Sequence, residues 1–145
     1  VIRIGPILQR LKSRSQFQAV LAGSTVARTS HFALHRTDLT AGELVSSRAA
    51  LFAVDDVWLG AMVPKRWARR SVMRNTIKRQ VYNVSLNFEA SLVHAAHVVR
   101  LRSGFDRKHF VSATSMALKA AVKTELIQLF SKATGVTVET VVVAP

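Results

Sequence analysis

Between Lys65 and Arg79 the chain carries Lys65, Arg66, Arg69, Arg70, Arg74, Lys78 and Arg79, with no acidic residue among them. Guanidinium forks hold phosphate oxygens bidentately and ammonium groups add point charge. Asn75 can donate to or accept from a ribose hydroxyl or a base edge. Such a set suits recognition of a folded nucleic-acid backbone better than a base code. The competing reading is a solvated helix face, which is what most charge runs are. The missing acids and the four cations that precede the helix weigh against it.

Other candidate chemistry is thinner. His94 and His97 have a spacing compatible with metal ligation, but no carboxylate cluster accompanies them, so structural or solvent-facing histidines are expected and no metal is assigned to side chains. Asp55 and Asp56 read as a turn at a strand start rather than a magnesium pair. No Ser, His and acid arrangement is legible, so no catalytic residue is assigned. The chain has no cysteine, which excludes a disulfide framework, a thiolate nucleophile and a Cys-based zinc site. Trp58, in an apolar strand, reads as core, whereas Trp67 sits among cations where it could stack.

The composition points the same way. With 145 residues and 49% hydrophobic content, one core and a single domain over 1–145 are expected. Its 21 Lys plus Arg against 8 Asp plus Glu give a formal charge of +13, which self-repels unless a polyanion is near. A membrane partner would need an amphipathic surface helix, a lipid anchor or a long apolar span. None is evident, and the start VIRIGPILQR lacks the apolar region and cleavage site of a signal peptide. The expectation is a soluble, intracellular, cytoplasmic protein.

The elements that must position these residues form an α+β pattern. Residues 1–14 read as a basic, irregular arm. Ser15 is the expected N-cap of a short helix with Phe17, Val20 and Leu21 at helical spacing, ended by Gly23 in a left-handed conformation. Val26–Arg36 reads as a strand by partial alternation. A long connection, 37–56, is expected to be partly mobile. VWLGAMVP reads as a buried strand in which Gly60 allows a close backbone approach. Met73, Ile77, Val81, Val84 and Phe88 recur at spacings of three and four and predict a helix from Ser71 to about Leu92, with Arg74, Asn75, Lys78, Arg79 and Tyr82 on its flank and back. His97–Arg102 reads as a strand. Asp106–Lys132 reads as a helix with Val111, Leu118, Val122 and Leu129 on a stripe that Glu125 interrupts. The tail 133–145 is either an edge strand or a frayed end. The element order is α-β-β-β-α-β-α.

MVPKRWARRSVMRNTIKRQV resembles the signature of the bacterial ribonuclease P protein component, whose long helix opens with Arg-Asn-Arg-x-Lys-Arg after a basic loop. The match is Arg74, Asn75, Ile77, Lys78 and Arg79, and Thr76 and Tyr82 stand where that family usually has Arg. LKSRSQFQAVLAGSTVARTSHFAL resembles the family's first helix and next strand, and HVVRLR with the last helix its closing elements, so the likeness runs from about Gln9 to Lys132. The resemblance implies a single four-stranded sheet packed with helices, ribosomal protein S5 domain 2-like, with a left-handed βαβ crossover against the general right-handed rule. It also implies roles. Lys65, Arg66, Arg69, Arg70, Arg74, Asn75, Lys78 and Arg79 would bind the catalytic RNA subunit. Phe17, Leu21, His35 and Arg14 would line a cleft for the 5′ leader of precursor tRNA. Leu21 and His35 replace residues that are often aromatic, and Phe17 keeps that character, although an ordinary core role for it stays open.

The function implied is that of a noncatalytic subunit, one per RNA, of an endoribonuclease whose RNA performs Mg2+-dependent removal of the leader. The metal would be bound mainly by that RNA and by the substrate. A ribosomal or architectural RNA-binding protein with no part in cleavage is the alternative. A nuclease in its own right is the third hypothesis, and the lack of a carboxylate or histidine cluster argues against it.

Overall fold

The computed structural model describes residues 8–39, 52, 56–105 and 116–135. Its elements are β1 (Gln9–Arg10), α1 (Arg14–Leu21), β2 (Ser24–Arg28), β3 (Phe32–Asp38), β4 (Trp58–Met62), α2 (Ser71–Ser85), a 3₁₀ turn (Glu89–Ser91), β5 (Ala95–Leu101) and α3 (Met116–Thr134). One sheet of order β1-β4-β5-β3-β2 collects all five strands. β5 lies at its centre, antiparallel to β3 and parallel to β4. That position explains the apolar run in its sequence: every residue of β5 except Arg100 is buried.

Alternation then sorts side chains to the two faces. Phe32 and Leu34 of β3, Leu59 and Ala61 of β4, and Val99 and Leu101 of β5 join Ile77, Val81, Val84, Leu118, Val122, Leu126 and Leu129 in the main core, beneath α2 and α3. On the other face Trp58, Ala96 and Val98 meet Leu11, Val20, Leu39 and Phe52, with Phe17, Ala19, Leu21 and Met62 partly buried around them. α1 and α2 therefore pack on opposite sides of the sheet.

Several expectations change. Among the described residues the sheet has five strands rather than four, because Gln9 and Arg10, expected in an irregular arm, pair in parallel with Trp58 and Leu59 of β4. Val26–Arg36 is not one strand. Thr29 caps a turn there, its hydroxyl accepting from the Phe32 N–H at 3.3 Å, and β2 and β3 form a hairpin with an irregularity between Thr25 and Ala27. α1 is capped by Ser13, not Ser15, in a reciprocal box with Gln16. Gly23 is not left-handed, since among the described residues only Gly135 has a positive φ. Gly23 is needed for space: a Cβ there would lie 2.4 Å from the Arg36 carbonyl oxygen. α2 ends at Ser85, and Phe88 reaches the core through i to i+3 bonds from Asn87 and Phe88 to Val84 and Ser85. Residues 1–7, 40–51, 53–55, 106–115 and 136–145 lie outside the described residues, and with them half of the N-terminal arm, most of the long connection, Asp55, Val111 and nearly all of the tail.

Glu125, which interrupts the apolar stripe of α3, has a task of its own. Its carboxylate accepts from the Thr29 hydroxyl at 2.6 Å, the His31 N–H at 2.6 Å and the His31 Nδ1–H at 2.7 Å. Lys132 donates to the Arg28 carbonyl and Arg102 to the Thr29 carbonyl, each at 3.0 Å. The hairpin turn is thus clamped from α3 and from the end of β5.

His97 is buried on the α2 and α3 side of β5, where its Nδ1–H donates to the Trp58 carbonyl at 3.1 Å and Nε2 has no partner. Burial pushes its pKa down to about 4, with the Arg36 charge acting in the same direction. The unfolded chain, near 6.5, takes up this proton first, so stability is intact above about pH 6.5 and is lost as pH falls towards 4. The full loss is about 3 kcal/mol. Urea titrations of wild type and His97→Leu between pH 7 and 4 should differ by a slope that the variant lacks; parallel curves would show that His97 does not titrate this way.

Candidate nucleic-acid interface

The basic segment is divided between a braced loop and a helix. The loop turns at Pro64, whose carbonyl accepts from the N–H groups of Trp67 and Ala68, both at 3.1 Å. Arg74 reaches back from α2 and donates through Nη1 to the Ala68 carbonyl at 3.0 Å and the Arg69 carbonyl at 2.7 Å. This half-buried guanidinium is a brace for the loop, a use the charge count could not reveal. Lys65, Arg66, Arg69 and Arg70 are exposed around it. α2 then begins at Ser71 with no side-chain cap at Arg70 and no acid in its first turn. Its N-terminal N–H groups and positive dipole end add to the same field, which favours anions.

Along α2, Asn75 and Arg79 are exposed and Lys78 is half-buried. Thr76 is buried, its hydroxyl donating to the Val72 carbonyl at 2.9 Å, so it presents no donor to a partner. Tyr82, expected on the outer flank, is instead half-buried against the core. Burial raises the pKa of its hydroxyl, against a hydrogen bond with the Ala61 backbone and the Arg10 charge. The Arg10 guanidinium lies 4.0 Å above the ring, so the arm supplies a cation over a position of the helix that lacks one.

On the opposite sheet face the structure brings Phe17, Leu21 and His35 to one side. Phe17 and Leu21 are partly buried against the smaller core. His35 alternates with Phe32 and Leu34 and pairs with Val98, which sets it on the α1 side. The Phe17 ring lies directly on β4: a Cβ at Gly60 would be 2.6 Å from Cε1 of that ring and 2.9 Å from Leu11 Cδ1. Part of the Phe17 ring is thus packing and part is accessible. Arg14 is exposed in the first turn of α1.

His35 has partners that no motif announced. Arg100 Nε–H donates to its Nε2 at 3.1 Å, and because a guanidinium cannot accept, the ring proton sits on Nδ1, 3.2 Å from the Thr25 hydroxyl. Burial lowers the His35 pKa, with Arg100 and Arg28 adding to the effect. Near neutral pH the charge of this His35–Arg100 pair is therefore carried by Arg100, not His35. Alternation along β5 holds the missed signal: Ala96, Val98 and Arg100 share one face.

Comparison with known proteins gives the family and the fold. The family model described as Ribonuclease P matches residues 6–133. The ribonuclease P protein component of Ralstonia pickettii is 32% identical over 130 residues, covering 89% of this chain and 81% of that protein. That of Bordetella parapertussis is 29% identical over 127 residues, covering 88% and 93%. The solved structure of the Staphylococcus aureus RNase P protein superposes with a TM-score of 0.59 at 17% identity over 84% of this chain and 92% of that one, a likeness of fold.

Proposed function

The chain belongs to the ribonuclease P protein family, and on that premise we propose that it binds a catalytic RNA subunit through the Lys65–Arg79 surface and the 5′ leader of precursor tRNA through the α1 side of the sheet. Family membership makes it the protein component of an endoribonucleolytic ribonucleoprotein acting in tRNA 5′ processing. In this reading the cut is made by the RNA. This reading places Mg2+ with the RNA subunit and substrate. The protein contributes charge: its cations displace counterions from two polyanions and let them approach at lower Mg2+. One protein per RNA is part of the proposal. So is the left-handed β4-α2-β5 crossover.

The observation that carries the reading is the acid-free run of cations on a loop whose backbone is held by Pro64 and Arg74. A fixed array loses little conformational entropy on binding a fixed RNA surface. On the α1 side, Phe17 and Leu21 give an apolar wall and Arg14 and Arg100 give charge, a combination suited to a single strand. Adding purified protein to the cognate RNA subunit at low Mg2+ should raise cleavage of precursor tRNA well above that of RNA alone. No stimulation would return the chain to the alternative, an architectural RNA-binding protein. Cleavage by the protein alone would overturn both.

A further inference from the structure

We propose that Trp67, with Arg66 and Arg69, forms a receptor for one unpaired nucleobase of an RNA partner. The inference rests on the proposed function only for the nature of that partner, and specifies what one part of the basic surface recognises. A recess of about 270 Å³ opens beside the loop, lined by Arg66, Trp67, Ala68, Arg69, Met73 and Phe105. Trp67 is 37% exposed, unlike Trp58, which is 9% exposed with Phe52 edge-on to it. Its neighbours are cations, and the segment from Lys65 to Arg79 holds no acid.

The indole is exposed, but its backbone is fixed. The N–H bond to Pro64 holds it from one side and Arg74 holds the next two residues. The β5 exit packs on it from behind, where a Cβ at Gly104 would lie 3.1 Å from the Trp67 carbonyl oxygen. Phe105, buried and stacked on His31 with centroids 4.0 Å apart, supplies an apolar wall. A large aromatic surface is thereby held open to solvent on a preorganised loop.

The Arg66 guanidinium stands 5.4 Å from the Trp67 ring centroid. That cation–π contact leaves the ring able to stack a second planar group, with Arg69 on the rim to meet the attached phosphate. A paired duplex keeps its base faces stacked internally and offers only phosphates and groove edges, whereas a bulged, looped or terminal base offers a free π-face. The recess thus selects an unpaired base, and the cations around it select a nucleic acid over an apolar peptide.

The test reads Trp67 emission during titration with a short single-stranded RNA, a blunt-ended RNA duplex of equal charge, and polyglutamate. Trp58→Phe protein isolates the signal; should that variant fold poorly, the difference between wild-type and Trp67→Phe emission gives the same information. Single-stranded RNA should quench Trp67, and the duplex and polyglutamate should not. Trp67→Ala should weaken single-strand binding roughly tenfold while duplex binding changes less than twofold, and Trp67→Phe should retain most of the affinity. Equal quenching by strand and duplex, quenching by polyglutamate, or unchanged affinity in Trp67→Ala would overturn the inference. Stimulated precursor tRNA cleavage alongside any of these would leave the family function standing and remove only the base receptor. Selective quenching without stimulation would do the reverse.

Discussion

Protein with Ala at Lys65, Arg66, Arg69 and Arg70 together should bind the cognate RNA subunit at least about a hundredfold more weakly near physiological salt, and its affinity should fall less steeply as salt is raised. Each cation seated on a phosphate releases about one counterion, so losing four such contacts lowers the slope of log K against log salt by roughly 3 units. All four side chains are exposed, so circular dichroism and the melting temperature should be nearly unchanged. Filter binding across a salt series checks both parts. A parallel shift with an unaltered slope would mean that these cations do not sit on phosphates. Arg74 is deliberately left in place: its replacement would remove the brace on Ala68 and Arg69 and mix loss of charge with loss of loop geometry.

Glu125→Ala should destabilise the fold by about 3 kcal/mol. The carboxylate, only 13% exposed, accepts three hydrogen bonds, and its removal strands the Thr29 hydroxyl and the His31 N–H without their acceptor. Urea unfolding should show a lower midpoint with the same m-value, since the surface exposed on unfolding is unchanged. Glu125→Gln should fall between the two, because its amide keeps one accepting oxygen but turns an N–H₂ towards groups that also donate. A loss below about 0.5 kcal/mol in the Ala variant would place the clamp among ordinary surface ion pairs.

The apolar spacing of α2 and the alternation in β4 and β5 were readable because burial on a fixed period leaves its mark on residue type. Ile77, Val81 and Val84 are buried as their spacing requires, and Gly60 meets Phe17 as its place in the strand suggested. β1 was not readable, since two residues paired in parallel to a distant strand leave no period to detect. The hairpin turn hid because Ser30 and His31 lie inside a β-rich stretch with no Gly or Pro to punctuate it. At the interface, residue types gave the cations, but not that Arg74 is spent on backbone carbonyls or that Arg100 meets His35 65 positions away. Glu125 looked like a flaw in a stripe because its three donors all come from the other end of the chain. Side chains that serve contacts of this range carry no local signature, so a charge inside an apolar stripe is better read as a request for a distant partner.

The clamp also sets an order on the making of this protein. His31 and Glu125 are 94 positions apart, so during vectorial synthesis the first hairpin is complete long before its acceptor exists. Until α3 has emerged, Thr29 and His31 must keep their polar groups in water, and Phe32 and Leu34 lack the cover of Leu118, Leu126 and Leu129. The hairpin cannot be locked locally; it is sealed by nearly the last helix to arrive. Through that interval the newborn chain carries an open apolar sheet face beside a strong positive charge, the period in which an RNA within reach would meet it unfinished.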